Sequence, residues 1–177
     1  MNLADLFPIT RETMRPPAGG KIVVFSLLAA LILNILPWHG AALLARPDFM
    51  LVMLLYWAVN EPRHIGQGIA FCLALLMDVA DSALLGQHAL VYVTAIFLAQ
   101  TLRLRILQLT LAEQALHAGA ILFAAQGFTL FLNLMLGRNF PGLLLFAAPA
   151  LGAALWPLLS LLTGLQRFQR SPTTVMQ

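Results

Sequence analysis

The chain has 177 residues, 60% hydrophobic and only 10% charged, and its mean hydropathy of +0.87 excludes a soluble domain with an ordinary polar surface. Its formal net charge of +3 does not argue for a nucleic-acid partner, because in so apolar a chain basic residues first set orientation in a bilayer. No hydrophilic stretch is longer than residues 1–21 or 165–177, and neither approaches the roughly 50 residues that a folded soluble domain needs.

Residues 1–21 carry Arg11, Arg15 and Lys21 ahead of an apolar run, a pattern shared by secretory signals and uncleaved anchors. The run is read as an anchor helix, since its removal would leave an odd number of spans. A helix rises 1.5 Å per residue and needs about 20 apolar residues to cross a core of about 30 Å, with shorter stretches tolerated where neighbours shield them. On that ruler the chain is expected to be all-α, a polytopic membrane protein with six transmembrane helices at about 22–38, 49–59, 65–79, 84–102, 111–136 and 141–164. The second and third are separated at Asn60-Glu61-Pro62-Arg63, where proline and flanking charges favour a turn. Pro149, Gly152 and Pro157 suggest a kinked last helix. The expected organisation is a cytoplasmic segment 1–21, a membrane domain 22–164 and a cytoplasmic tail 165–177.

With both termini cytoplasmic, the inside segments hold Arg11, Arg15, Lys21, Arg63, Arg103, Arg105, Arg167 and Arg170, and the outside loops only Arg46 and Arg138. This asymmetry is what the positive-inside rule requires. Trp38 and Trp57 fall where interfacial rings would lie, whereas Trp156 falls well inside the last span.

Within the spans, Asp78 is the clearest departure from apolar chemistry. An ionisable group costs about 2.5–3.5 kcal/mol at the centre of a membrane helix on insertion scales, so such a residue marks a site. Asp78 lies about 20 Å from Ile65 along its helix, and His88 about 22 Å from Arg103 along the next. A hairpin turning at Asp81-Ser82-Ala83 would therefore bring the two level. Gly66, Ala70, Ala74 and Asp78 recur every four residues on one helix face, and small residues at that spacing let membrane helices approach closely. Asp78 is then either a contact site for a partner or half of a polar pair that locks the hairpin.

Gly86-Gln87-His88 offers an unwound turn with an amide and an imidazole, and Pro47-Asp48 reads as a helix start. Asn34, Gln126 and Asn133 are read as interhelical hydrogen-bonding groups. The four histidines have no metal-ligand spacing, and Cys72 lies in an apolar run, so neither a metal, a cofactor nor a disulfide is expected. Asp78 and Asp81 alone lack the clustered acids that a metal-dependent membrane enzyme would need, and no catalytic residues are assigned.

Arg46-Pro47-Asp48-Phe49, Tyr56-Trp57-Ala58, Leu76-Met77-Asp78-Val79 and Leu84-Leu85-Gly86-Gln87-His88-Ala89-Leu90 together resemble the rod shape-determining MreD family, over about residues 46–105. The resemblance implies a non-enzymatic scaffold subunit of the cell-elongation complex that directs lateral peptidoglycan synthesis in the bacterial inner membrane. Its implied partners are an MreC-type single-span periplasmic protein, with a RodA-type glycosyltransferase, its transpeptidase and MreB-type actin filaments nearby. Asp78, Gly86, Gln87, His88, Pro47 and Asp48 are the expected partner-binding or structural polar site. The family fold is also similar to the substrate-binding subunits of vitamin transporters, which makes a small-molecule-binding transporter subunit the alternative.

Overall fold

The computed structural model describes residues 19–168, with side chains through residue 163. The expected cytoplasmic stretches therefore lie almost wholly outside the described residues, as do the side chains of Arg11, Arg15, Arg167 and Arg170. Among the described residues the chain forms seven α-helices: α1 Gly20–Ile35, α2 Ala41–Ala45, α3 Phe49–Asn60, α4 Gln67–Ala80, α5 Gln87–Leu107, α6 Leu111–Met135 and α7 Ala147–Phe168. A 3-10 turn, Leu143–Phe146, leads into α7.

Among the described residues, four segments are long and apolar enough to cross a membrane: Ala41–Asn60, Gln87–Leu107, Leu111–Met135 and Leu143–Thr163. The first joins α2 to α3 across the bend at Arg46-Pro47-Asp48. Two further apolar helices, Gly20–Ile35 and Gln67–Ala80, are shorter. Their 16 and 14 residues rise about 24 and 21 Å, below the core thickness of about 30 Å.

The centre of the bundle is α3, which is apolar all round and buries nine of its twelve residues. Such a helix has no face suited to water and belongs inside a protein core or a membrane. Its wrapping comes from α1, α5, α6 and α7, while α4 packs chiefly on α5. Helices in lipid gain little from hydrophobic exclusion, so close van der Waals approach must hold them together. Gly119 and Gly152 provide it. A Cβ at Gly119 would lie 3.0 Å from the Ala153 Cβ, and one at Gly152 would lie 3.0 Å from Leu122 Cδ1 and 3.1 Å from Val52 Cγ2.

Trp57 differs from its expected interfacial placement. It is fully buried in the core, with its indole N–H donated to Ser26 Oγ at 2.8 Å. Tyr56 packs edge-on to both Trp57 and the buried Trp156, and its hydroxyl bonds Thr163. The polar tips that would favour an interface are satisfied inside the protein instead. The fourth apolar helix also starts later than its sequence suggests, at Gln87 rather than Leu84. Gly86, at φ +97°, is in the left-handed region and breaks the helix there, leaving Leu84 and Leu85 exposed in the turn.

Candidate functional site

The α4–α5 hairpin turns through residues 81–86, and Asp78 sits in the last turn of α4 on its buried side, after Ala70 and Ala74. Those two alanines and Asp78 are fully buried. The carboxylate spends its capacity on the start of α5. Oδ2 accepts the Gly86 N–H at 2.8 Å, and Oδ1 accepts the His88 N–H at 2.7 Å. His88 Nδ1 lies 2.9 Å from the same Oδ1. The first amides of any helix lack intrahelical acceptors, and Gly86 has no side chain to cap them. Asp78 therefore caps α5 from the preceding helix, with the positive end of the helix dipole facing its negative charge.

A second carboxylate does the same for α3. Asp48 is its N-cap, and Oδ1 accepts the Leu51 N–H at 3.1 Å. Asn34, buried near the end of α1, donates its amide to Asp48 Oδ1 at 2.9 Å and accepts the Phe49 N–H at 3.0 Å. Tyr92 donates its hydroxyl to Asp48 Oδ2 at 2.6 Å. Pro47, just before this cap, is buried.

The two caps join into one ring of polar contacts. Arg46 donates to the Asn34 carbonyl and lies 3.6 Å from Asp81 Oδ1. His88 Nε2 lies 3.6 Å from Asp81 Oδ2, and the His88 ring meets Tyr92 edge-on at 5.8 Å. Tyr92 returns to Asp48, and Asp48 to Asn34. The ring ties α1, the α2–α3 bend, the α4–α5 turn and α5 together at one end of the bundle. Its inner part, Asp78, Asn34 and Tyr92, is buried and hydrogen-bonded, which rigidifies the helix ends it joins, while Asp81 is exposed. A cavity of about 180 Å³ adjoins it, lined by Arg46, Asp48, Asp81, His88 and Tyr92 together with residues of α6 and α7.

Of the residues singled out in the sequence, Asp78, Gly86, His88 and Asp48 converge in this ring. Gln87 does not. It is buried on another side of α5 and donates to Asn133 Oδ1 at 3.1 Å, an oxygen that also accepts from Arg138. Four members are not among the expected site residues: Tyr92, Arg46, Asp81 and Asn34, the last read only as an interhelical hydrogen-bonding group. Tyr92 follows His88 by four residues and so shares its helix face, a signal available from spacing alone. Among the described residues no group of three or more His, Cys, Asp or Glu side chains is placed to hold a metal ion. The arrangement fixes helix ends and presents a turn.

The family model for rod shape-determining protein MreD matches residues 19–164. The rod shape-determining protein MreD of Haemophilus influenzae is 32% identical over 69 residues, which cover 39% of this chain and 43% of that protein. The aligned stretch thus spans less than half of that relative's length. No solved structure matches the chain. With the family model covering most of the sequence and apolar helices making up the fold, the chain is a membrane protein that belongs to the rod shape-determining MreD family.

Proposed function

We propose that this chain is a non-enzymatic scaffold subunit of the machinery that directs lateral peptidoglycan synthesis, and that it maintains rod shape by binding a single-span periplasmic protein of the MreC type. Family membership carries the reading. The physical support is the α4–α5 turn, where Leu84 and Leu85 are 53% and 75% exposed on a backbone held by the Asp78 cap. Asp78 itself faces inward, so its role in this reading is to position the turn rather than to touch the partner. A RodA-type glycosyltransferase, its transpeptidase and MreB-type filaments belong to the same assembly.

The proposed topology is six spans in the inner membrane with both termini cytoplasmic, α1 and α4 being the two short spans. The Arg46–Asp81 pair supports it, because it brings two loops assigned to the periplasm to one end of the bundle. Arg103 Nε donates to the Val59 carbonyl at 2.7 Å and Gln100 to the Ile65 carbonyl at 2.9 Å, which gathers the opposite loops at the other end. A stable interface of order 1,000 Å² or more has to draw on helix faces together with these short loops.

Depletion of the protein in its rod-shaped host tests the function. Cells should widen and become round, and re-expression of the full chain should restore rods. Depleted cells that keep normal width and growth would rule the reading out.

A further inference from the structure

Helix length is uneven around the bundle. α5 and α6 have 21 and 25 residues, a rise of about 32 and 38 Å, whereas the 16 and 14 residues of α1 and α4 rise only about 24 and 21 Å. A helix longer than a hydrocarbon core of about 30 Å fits by tilting, but tilt shortens the reach of a short helix further.

Neither short helix holds apolar chain in reserve. Lys21 is exposed in the first turn of α1, and Leu36 caps the other end with Pro37 next, which cannot continue the helix. α4 lies between the exposed Arg63 and Gln67 on one side and the exposed Asp81 on the other. Drawing either helix deeper into hydrocarbon would bury a charge.

The two helices are also held at matching levels. Asn34, near the end of α1, reaches Met77 Sδ of α4 at 3.8 Å. At the opposite end Gly20 lies against His64, three residues before α4, so closely that an added Cβ would stand 3.4 Å from the imidazole Nε2. Fixed at both ends, neither can slide along the bundle to make up length for the other. Outward they present large apolar side chains, Val24, Phe25 and Ile32 on α1 and Phe71, Leu76 and Val79 on α4, while Ala70 and Ala74 of α4 are turned inward and fully buried.

We infer that the α1–α4 side binds a thinned annulus of phospholipid, compressing the bilayer there to a hydrocarbon thickness of about 21–24 Å while the side of α6 meets the ordinary core of about 30 Å. The apolar side chains fix lipid as the occupant, and the charged ends fix how thick that lipid can be. The inference rests on the proposed reading that α1 and α4 both span, and not on the role in cell shape.

Spin labels on the full chain in dioleoylphosphatidylcholine nanodiscs test it, with depth read from collisions with dissolved oxygen and a water-soluble nickel chelate. In a Cys72→Ala background, Ile69→Cys and Val79→Cys place labels ten residues apart on α4, about 15 Å of rise. Their depths below the two nearer surfaces should sum to about 6 Å in a bilayer thinned to α4, against about 15 Å in an undisturbed one. Leu116→Cys and Met135→Cys on α6 lie nineteen residues apart and should sum to about 2 Å with no thinning. Should the α4 variants fail to fold, Val24→Cys and Ile35→Cys on α1, eleven residues apart, should sum to about 8 Å rather than about 14 Å. A label on the native Cys72, which is exposed, should collide freely with oxygen and show no spin–spin broadening. Sums at the undisturbed values overturn the inference, as does a broadened, oxygen-shielded Cys72 label, which would mean that a second copy covers this face. Reporter fusions after Arg63 and Asp81 read the crossing of α4 separately: opposite-side signals with undisturbed sums sink the thinning alone, and same-side signals sink the six-span reading with it.

Discussion

Replacing Asp78 separates its charge from its shape. Asp78 is fully buried and accepts from two backbone amides at 2.8 and 2.7 Å, and its Oδ1 lies 2.9 Å from the His88 ring nitrogen. Leucine removes both acceptor oxygens and leaves the three groups they serve without that partner. Each buried donor left without its acceptor costs about 1–3 kcal/mol, and the lost cap lies within that loss rather than adding to it. Asparagine keeps one carbonyl oxygen, which can serve both His88 contacts, but its NH2 then faces the Gly86 N–H, a donor against a donor. One unsatisfied amide costs about 1–3 kcal/mol, so Asp78→Asn should fall between wild type and Asp78→Leu. Thermal unfolding in detergent, followed by the fluorescence of the buried Trp57 and Trp156, would read this order. Asparagine and leucine variants that both unfold at the wild-type temperature would refute the capping account.

Other positions make separate predictions. Gly152→Ala places a methyl 3.0 Å from Leu122 Cδ1 and 3.1 Å from Val52 Cγ2, so it should lose about 1–3 kcal/mol by overpacking. Gly127→Ala, where a Cβ meets nothing within 4 Å, should leave stability unchanged or raise it by up to about 1 kcal/mol in the same assay. Ser26→Ala strands the Trp57 N–H and should cost about 1–3 kcal/mol, while a double-mutant cycle with Trp57→Phe should return a coupling of about 0.5–1.5 kcal/mol. Periplasmic reporter fusions after Arg46 and Asp81 should be active and those after Arg63 and Arg105 inactive. The reverse pattern would invert the proposed orientation.

Much of this architecture is legible in the sequence because the bilayer simplifies the problem. Hydrocarbon forces the backbone into helices, so apolar length and breaking residues place α1 and α3 through α6 to within about five residues, whereas α2 is not among the expected helices and α7 begins at Ala147 after a 3-10 turn. The level placement of Asp78 and His88 follows from counting rises along two antiparallel helices, and the pair forms at 2.9 Å. What counting along a helix omits is rotation and the turn. Gly86 in the left-handed region shifts the start of α5 by three residues and sends Gln87 toward Asn133 instead of the ring. The burial of Trp57 follows from α3 lying at the centre of the bundle, a tertiary fact that aromatic preference for interfaces does not contain. Arg46 and Asp81 lie 35 residues apart in sequence, and only the packing of two loops reveals that they meet.

The proposed partnership centres on the α4–α5 turn, and photo-crosslinking in living cells tests it most directly. Crosslinkers belong at Ser82, Leu84 and Leu85, which are exposed, and not at Gln87, which is buried. Gln108, exposed in the loop at the opposite end of α5, is the control. The account predicts capture of a single-span periplasmic protein of the MreC type from the three turn positions and none from Gln108. Capture from Gln108 with none from the turn would contradict it.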